Sequence, residues 1–197
     1  MNAAIRRSLV LLPILAVLGG CVAFHVDEDP ADPELATMFW RDRLRRSLPR
    51  LGHRNVIVVA DMAYPASAAA GTEIVWTNED APTVLREVLD EIGRAPHVRP
   101  AIALDAELDA LTDADAPGVS AFRTSLATTL DTLPVRRVPH ADVLAELDAA
   151  ARSWKVLVLK TNSILPYSSV FLTLDCGYWS AERESALRAR LASGAPR

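Results

Sequence analysis

The sequence predicts a mixed α/β fold, with helices covering both faces of one central sheet. Apolar runs rich in Val and Ile alternate along the chain with segments whose apolar residues recur at helical spacing, an alternation typical of layered α/β proteins. The 197 residues are one domain's worth, and half of them are apolar, which is enough for a sizeable core. No internal repeat is visible, and no Gly-rich phosphate loop follows any strand, so nucleotide binding has no support.

Each predicted strand is a short apolar run bounded by turn residues, and Val and Ile suit a pleated, buried surface. The predicted strands are 55–60, 72–77, 98–104, 135–138, 155–159 and 169–175. The predicted helices are 33–48, 81–94, 119–133, 139–152 and 181–191. Pro49 and Gly52 end the first helix. Asp80 or Asn78 caps the second helix, and Pro139 suits the first turn of the fourth.

The first 20 residues are predicted to be a signal peptide that is not part of the fold. Arg6 and Arg7 form a positive n-region, and 9–18 forms an apolar h-region too short to span a membrane. The ending Leu18-Gly19-Gly20-Cys21 resembles a bacterial lipobox, in which the Cys is lipidated and becomes the mature N-terminus. An ordinary signal peptide or an uncleaved anchor with an incidental Cys is the alternative.

The lipobox predicts both a domain order and a location. Residues 21–33 form an acidic tether punctuated by prolines, and 34–197 form the folded domain. With Cys21 lipidated, the protein is expected in the bacterial cell envelope, on the outer membrane or facing the periplasm, with its N-terminal lipid as the membrane anchor. The net charge of -4 gives no reason to expect nucleic acid or an anionic membrane surface as a partner.

Ionisable residues stand at both ends of the first predicted strand. Gly52 and His53 precede the uninterrupted apolar run 56–60, and Asp61 follows that run before a Tyr-Pro turn. Sites in α/β proteins are built at strand ends. His53 and Asp61 are therefore candidate functional residues, although either could simply end a helix or cap a loop.

A second informative segment, 156–172, lies near the C-terminus. Two apolar strands flank a polar loop that holds Thr161-Asn162-Ser163, and Tyr167-Ser168-Ser169 opens the second strand. Together the two segments resemble the ribose pyranase and fucose mutarotase family (RbsD/FucU), over roughly residues 40–178. That family shows Gly-His, a short strand, an Asp before a Pro turn, and a Tyr-x-Asn opening its last strand. Between the two segments, His140 matches a His of the ribose-specific members.

The resemblance implies a three-layer α/β/α sandwich with a mixed central sheet. It also implies a ring-like homo-oligomer, often a decamer of stacked pentamers, and a cofactor-free isomerase acting on a free monosaccharide. His53 takes the position of the family's proposed proton donor and is the candidate catalytic residue. Substrate contacts are expected from polar residues near the strand ends: Asp61, His140, Tyr167, Ser168 and Ser169.

Interconverting the ring forms or anomers of a sugar needs only proton transfers. The ring oxygen is protonated, the anomeric hydroxyl is deprotonated, and the open aldehyde rotates before the ring closes. Histidine titrates near neutral pH, so an imidazole can donate and accept these protons. The chemistry requires no metal, nucleotide or covalent intermediate. The four histidines show neither an i, i+4 pair nor a Cys partner, so no metal site is expected.

The spacing of His53 and Asp61 predicts that they do not share one small ligand within one subunit. They are eight positions apart in the chain, and an extended path of that length covers roughly 26 Å at about 3.3 Å per residue. The two side chains therefore belong either to different sites or to one site built across a subunit contact. The second option agrees with a family whose sites lie at interfaces.

Two departures from the family pattern leave the activity open. Ser169 stands where the family has an Asn, and Thr161-Asn162-Ser163 stands where a Thr/Ser-Gly-Glu is usual, so a carboxylate is lost. Asp105 and Glu107, after the third predicted strand, could supply that carboxylate or could lie at the solvated start of a helix or loop.

Two other candidate residues also have plainer interpretations. His140 could be a surface residue of a first helical turn, and Tyr167 could be a packed Tyr at a strand start. The sequence therefore supports two functions on the same scaffold. One is a sugar isomerase of the pyranase or mutarotase type, and the other is a non-catalytic monosaccharide-binding lipoprotein.

Overall fold

Strands and helices alternate through the computed structural model, which describes residues 33–194. The strands of that part are β1 (Val56–Ala60), β2 (Thr72–Trp76), β3 (Val98–Asp105), β4 (Val135–Val138), β5 (Val156–Lys160) and β6 (Val170–Cys176). Its α-helices are α1 (Pro33–Ser47), α2 (Ala81–Gly93), α3 (Val119–Leu130), α4 (His140–Ala151) and α5 (Ala181–Ala192). Short 3₁₀ helices lie at Leu48–Arg50 and Ala106–Asp109.

The six strands form one mixed sheet in the order β2-β5-β1-β6-β3-β4. β1 pairs in parallel with β5, β5 with β2, and β3 with β4. β6 lies between β1 and β3 and is antiparallel to both. The carboxyl ends of β1 to β5 and the amino end of β6 therefore meet at one edge, called here the carboxyl edge. The opposite edge, called the amino edge, holds the start of β1 and β3 and the end of β6.

Both faces of the sheet are covered, because successive side chains of each strand point to opposite faces. Ile57 and Val59 of β1 lie in a large core cluster that includes residues of α1, α2 and α3. Val56 and Val58 lie in a smaller cluster packed against α4. All five residues of β1 are buried, as expected for a central strand covered on both faces. The predicted mixed α/β class is thus confirmed.

Most element bounds agree with the prediction to within one or two residues. The third helix ends earlier than predicted, at Leu130, because Asp131 takes a positive φ of 38° that stops helical hydrogen bonding. Of the two candidate caps for α2, Asp80 is the one used, since its side chain accepts a hydrogen bond from the Thr83 amide. The segment directly after β3 forms the 3₁₀ helix Ala106–Asp109.

Arginines of α1 fix that helix to the rest of the domain. Arg41 makes paired hydrogen bonds to Glu79 and to Glu87, at 2.6–2.8 Å. Arg43 forms an ion pair with Glu73 of β2. These two arginines thus pair with carboxylates of the same chain.

The predicted signal peptide, Cys21 and most of the acidic tether lie outside the described residues. Within the described part, none of the helices is both long and apolar enough to cross a membrane.

Candidate functional site

Asp61 and Ser169 form a reciprocal contact at the carboxyl edge. The Ser169 hydroxyl donates to Asp61 Oδ2 at 2.9 Å and accepts from the Asp61 backbone amide at 3.1 Å. The two residues meet because β1 and β6 pair antiparallel, with Val59 opposite Val170. Asp61 Oδ1 accepts from the Ala63 amide at 2.8 Å. The Asp61 carboxylate is therefore held in one orientation, half-buried at the rim of the sheet.

His140 lies at the same edge, where β4 passes into α4. Its Nδ1 is 3.1 Å from Asp105 Oδ2. Its backbone amide donates to both carboxylate oxygens of Glu107, each at 3.0 Å. The His140 side chain is 40% exposed, whereas that of Asp105 is fully buried. The imidazole thus links a buried carboxylate to the solvent.

The Asp105 carboxyl has an unusual electrostatic environment. Burial raises its pKa, and the negative charges of Glu107 and Asp61 act in the same direction. The hydrogen bond and charge of His140 oppose that rise without cancelling it. Asp105 Oδ1 is buried with no hydrogen-bond partner among the described residues. An unpaired buried carboxylate oxygen is costly, so its presence at a strand end is a sign of a functional position.

Tyr167 stands beside His140 in a strained backbone conformation. Its φ of 56° lies in the left-handed region, which bulky residues seldom adopt. The two rings meet edge to face with centroids 5.3 Å apart. The strained turn directs the phenol ring over the carboxyl edge, next to the imidazole.

Ser168 faces into its own loop. Its side chain is 1% exposed, and its hydroxyl donates to the Leu165 carbonyl at 2.7 Å and lies 2.9 Å from Ser163 Oγ. In this conformation Ser168 stabilises the loop that carries Tyr167. A direct contact of Ser168 with a sugar remains a prediction.

His53 lies at the amino edge, opposite the other candidates. Its Nδ1 is 3.0 Å from Asp175 Oδ1, and the guanidinium of Arg99 donates to Asp175 Oδ2 at 2.6 and 3.0 Å. The hydrogen bonds and charge of Arg99 lower the pKa of the Asp175 carboxyl. His53 is exposed and borders an open cavity of about 480 Å³ that is also lined by Trp179 and Glu184.

The structure therefore brings together Asp61, His140, Tyr167 and Ser169 at one edge and leaves His53 at the other. Sequence reasoning named Asp105 and Glu107 as candidate carboxylates but did not pair Asp105 with His140. It missed Asp175 and Arg99 entirely. The only signal for them was their position at the ends of predicted strands.

Comparison with known structures finds the same architecture at low sequence identity. Bacillus subtilis RbsD complexed with D-ribose aligns with a TM-score of 0.48 and 16% identity, over 75% of this chain and 95% of that one. The fucose mutarotase of Streptococcus pneumoniae in complex with L-fucose aligns at 0.45 and 17%, over 66% and 89%. FucU from Bifidobacterium longum aligns at 0.47 and 14%, over 68% and 92%.

No family model matches the sequence, and the search of curated proteins gives no match. The structural resemblance to RbsD and FucU is thus at the level of the fold.

Proposed function

We propose that this protein is a cofactor-free isomerase that interconverts the ring forms or anomers of a free monosaccharide. The convergence of Asp61, His140, Tyr167 and Ser169 at the carboxyl edge carries the proposal. Asp61 and Ser169 are 108 positions apart in the chain yet hydrogen-bonded. A carboxylate, an imidazole and a phenol ring on one rim form a set suited to sugar hydroxyls and to the apolar face of a sugar ring.

His53 supplies the acid/base chemistry in this proposal, as the donor of a proton to the ring oxygen. Its imidazole is exposed, and its Nδ1 is paired with the Asp175 carboxylate. Because His53 and Asp61 lie at opposite edges of one sheet, a site that uses both needs two subunits. The proposal therefore includes a homo-oligomer in which the amino edge of one subunit faces the carboxyl edge of the next.

The proposed setting is the bacterial cell envelope. The lipobox ending at Cys21 and the acidic tether that follows would hold the folded domain close to a membrane surface. In that setting the substrate is a free sugar outside the cytoplasm.

A non-catalytic monosaccharide-binding role is the second candidate. One observation favours it: the carboxyl edge holds the predicted binding residues within one subunit, whereas His53 is at the other edge. Binding alone would therefore need no subunit contact.

Two variants separate these functions. If the protein is an isomerase, His53→Ala abolishes the exchange between sugar forms, measured by NMR, and leaves sugar binding intact in calorimetry. Asp61→Asn weakens binding under either function. Asp109→Asn is the matched control, since Asp109 is an exposed carboxylate that pairs with Arg137. Exchange that His53→Ala leaves unchanged would remove His53 from the mechanism.

A further inference from the structure

The pair formed by Asp105 and His140 has the construction of a proton-transfer site. Asp105 lies at the end of β3 with its side chain fully buried, and His140 begins α4 with its side chain 40% exposed. The contact between Nδ1 and Oδ2, 3.1 Å long, joins residues 35 positions apart. A carboxylate only accepts hydrogen bonds, so the proton on this side of the imidazole belongs to Nδ1. Nε2 is then the basic nitrogen, and no described group is bonded to it.

Other groups hold the imidazole in this orientation. Glu107 accepts the backbone amide of His140 with both oxygens, which fixes the first residue of α4. The ring of Tyr167 packs against the imidazole edge to face. The charged and titratable groups around the pair are thus Asp105, Glu107, Tyr167 and the nearby Asp61. These contacts limit both the position of His140 and the nitrogen that it presents.

A purely structural role does not account for the buried end of the pair. Asp105 Oδ1 is buried without a hydrogen-bond partner among the described residues. Taking a carboxylate out of water costs free energy, and the attraction of its partner offsets that cost only when further hydrogen bonds satisfy the remaining lone pairs. The carboxylate is therefore a stability cost at this position, and such costs concentrate where a site needs them.

We propose that His140 is a second catalytic residue of this protein, the base that takes the anomeric proton, and that Asp105 is its positioning residue. This proposal rests on the proposed sugar isomerase function and gives that function a base at the carboxyl edge. His53 then donates a proton to the ring oxygen, and His140 takes the proton of the anomeric hydroxyl.

The proton and electron movements balance. His140 Nε2 takes the proton of the anomeric hydroxyl, and the electrons of that O–H bond form the carbonyl of the open aldehyde. The bond between the anomeric carbon and the ring oxygen breaks, and its electron pair goes to the ring oxygen. The ring oxygen takes a proton from the imidazolium of His53 in a neighbouring subunit. Ring closure on the other face of the carbonyl reverses every transfer and restores both histidines.

Asp105→Asn tests the pairing and the reaction together, in the full-length protein in detergent micelles. The amide that replaces the carboxylate can donate to Nδ1, which moves the imidazole proton to Nε2 and removes the base. The ¹⁵N spectrum of ring-labelled histidine reports the tautomer of His140, and NMR exchange reports the reaction. We expect a changed tautomer and an exchange rate at least 10-fold lower, mainly in kcat and with little change in KM. Asp109→Asn is expected to leave both unchanged.

His140→Gln provides an independent variant, because the side chain at position 140 lies at the rim of the sheet and Gln keeps a neutral polar group there. We expect a loss of about 10²-fold or more, the usual scale for a general base. The double variant should be no slower than His140→Gln alone, since Asp105 acts through His140.

The outcomes separate this proposal from the proposed function. A wild-type protein that exchanges no sugar overturns the isomerase function and, with it, the role of the pair. Wild-type exchange that both variants retain overturns the role of the pair alone. A slower Asp105→Asn variant with an unchanged His140 tautomer also overturns it, since Asp105 would then act on something other than the imidazole.

Discussion

His53 and Asp61 bracket the same strand, β1, and so lie at opposite edges of the sheet. β1 is buried along its whole length, so neither side chain can reach the other through the core. His53 is paired with Asp175 at the amino edge, and Asp61 is paired with Ser169 at the carboxyl edge. Any reaction that uses both residues must therefore be carried out by more than one subunit.

Mixed subunits test that consequence. His53→Ala and Asp61→Ala subunits are each expected to be inactive, because every site in each homo-oligomer lacks one group. Co-expression of the two should restore part of the exchange activity by forming hybrid sites with both groups intact. Sedimentation of the wild type is the companion measurement, and a monomer that still turns over sugar would contradict the shared site.

The Asp105 carboxyl predicts a specific dependence of stability on pH. Its pKa is raised above the ordinary value of 3.8, so the folded state binds the proton more tightly than the unfolded state does. Its contribution to stability is therefore greatest below pH 3.8 and declines as pH rises through the folded-state pKa. Asp105→Asn removes that decline, and we expect the stability of the variant relative to wild type to rise between acid and neutral pH.

Urea unfolding of wild type and Asp105→Asn at a series of pH values measures this difference. Carboxylates with lowered pKa values, such as Asp175, contribute the opposite dependence in both proteins and so cancel in the comparison. Asp109→Asn serves as the exposed control. Parallel pH profiles for wild type and Asp105→Asn would show that Asp105 titrates alike in the folded and unfolded states.

Gly71 offers a test of the packing between the start of β2 and the end of α4. A Cβ at this position would meet the carbonyl oxygens of Ala151 and Trp154, the latter at 2.7 Å. Both are backbone atoms, so Gly71→Ala should lower the free energy of unfolding by about 2 kcal/mol or more. Gly93, in the last turn of α2, has open space around it, and Gly93→Ala should be neutral or stabilising by up to about 1 kcal/mol. Equal stabilities of the two variants, measured by thermal unfolding, would contradict this packing.

The lipobox at Cys21 predicts membrane attachment. The mature protein should partition into the detergent phase in a two-phase separation, and Cys21→Ser should remain uncleaved or mislocalised. A lipid mass on the N-terminal peptide would identify the anchor directly. A water-soluble wild type would contradict the anchor and leave the folded domain unaffected.

The fold was largely predictable because its signals are local. The uninterrupted apolar run 56–60 and the apolar residues at helical spacing in α2, such as Val84 and Val88, indicate burial directly. The position of β6 between β1 and β3 was not predictable, since it depends on pairing between distant segments. That pairing brings Asp175 to His53, 122 positions away.

The site was predictable in part for the same reason. Asp61 and Tyr167 stand next to predicted strands, so their place at a sheet edge followed from the pattern. The burial of Asp105 was not predictable from the pattern, because a carboxylate in the sequence Asp105-Ala106-Glu107 is also compatible with the solvated start of a helix or loop. Its contact with His140 depends on the parallel pairing of β3 and β4, which places Asp105 opposite Val138.

Exchange spectroscopy on free sugars tests the central claim most directly. The full-length protein in detergent micelles is added to a panel of pentoses and hexoses, and NMR magnetisation transfer measures the rate between ring forms and anomers. The proposed function predicts that the wild type accelerates exchange of at least one sugar and that His53→Ala loses about 10²-fold or more of that acceleration. Spontaneous rates for every sugar, with sugar binding still detected by calorimetry, would contradict the isomerase and favour the binding protein instead.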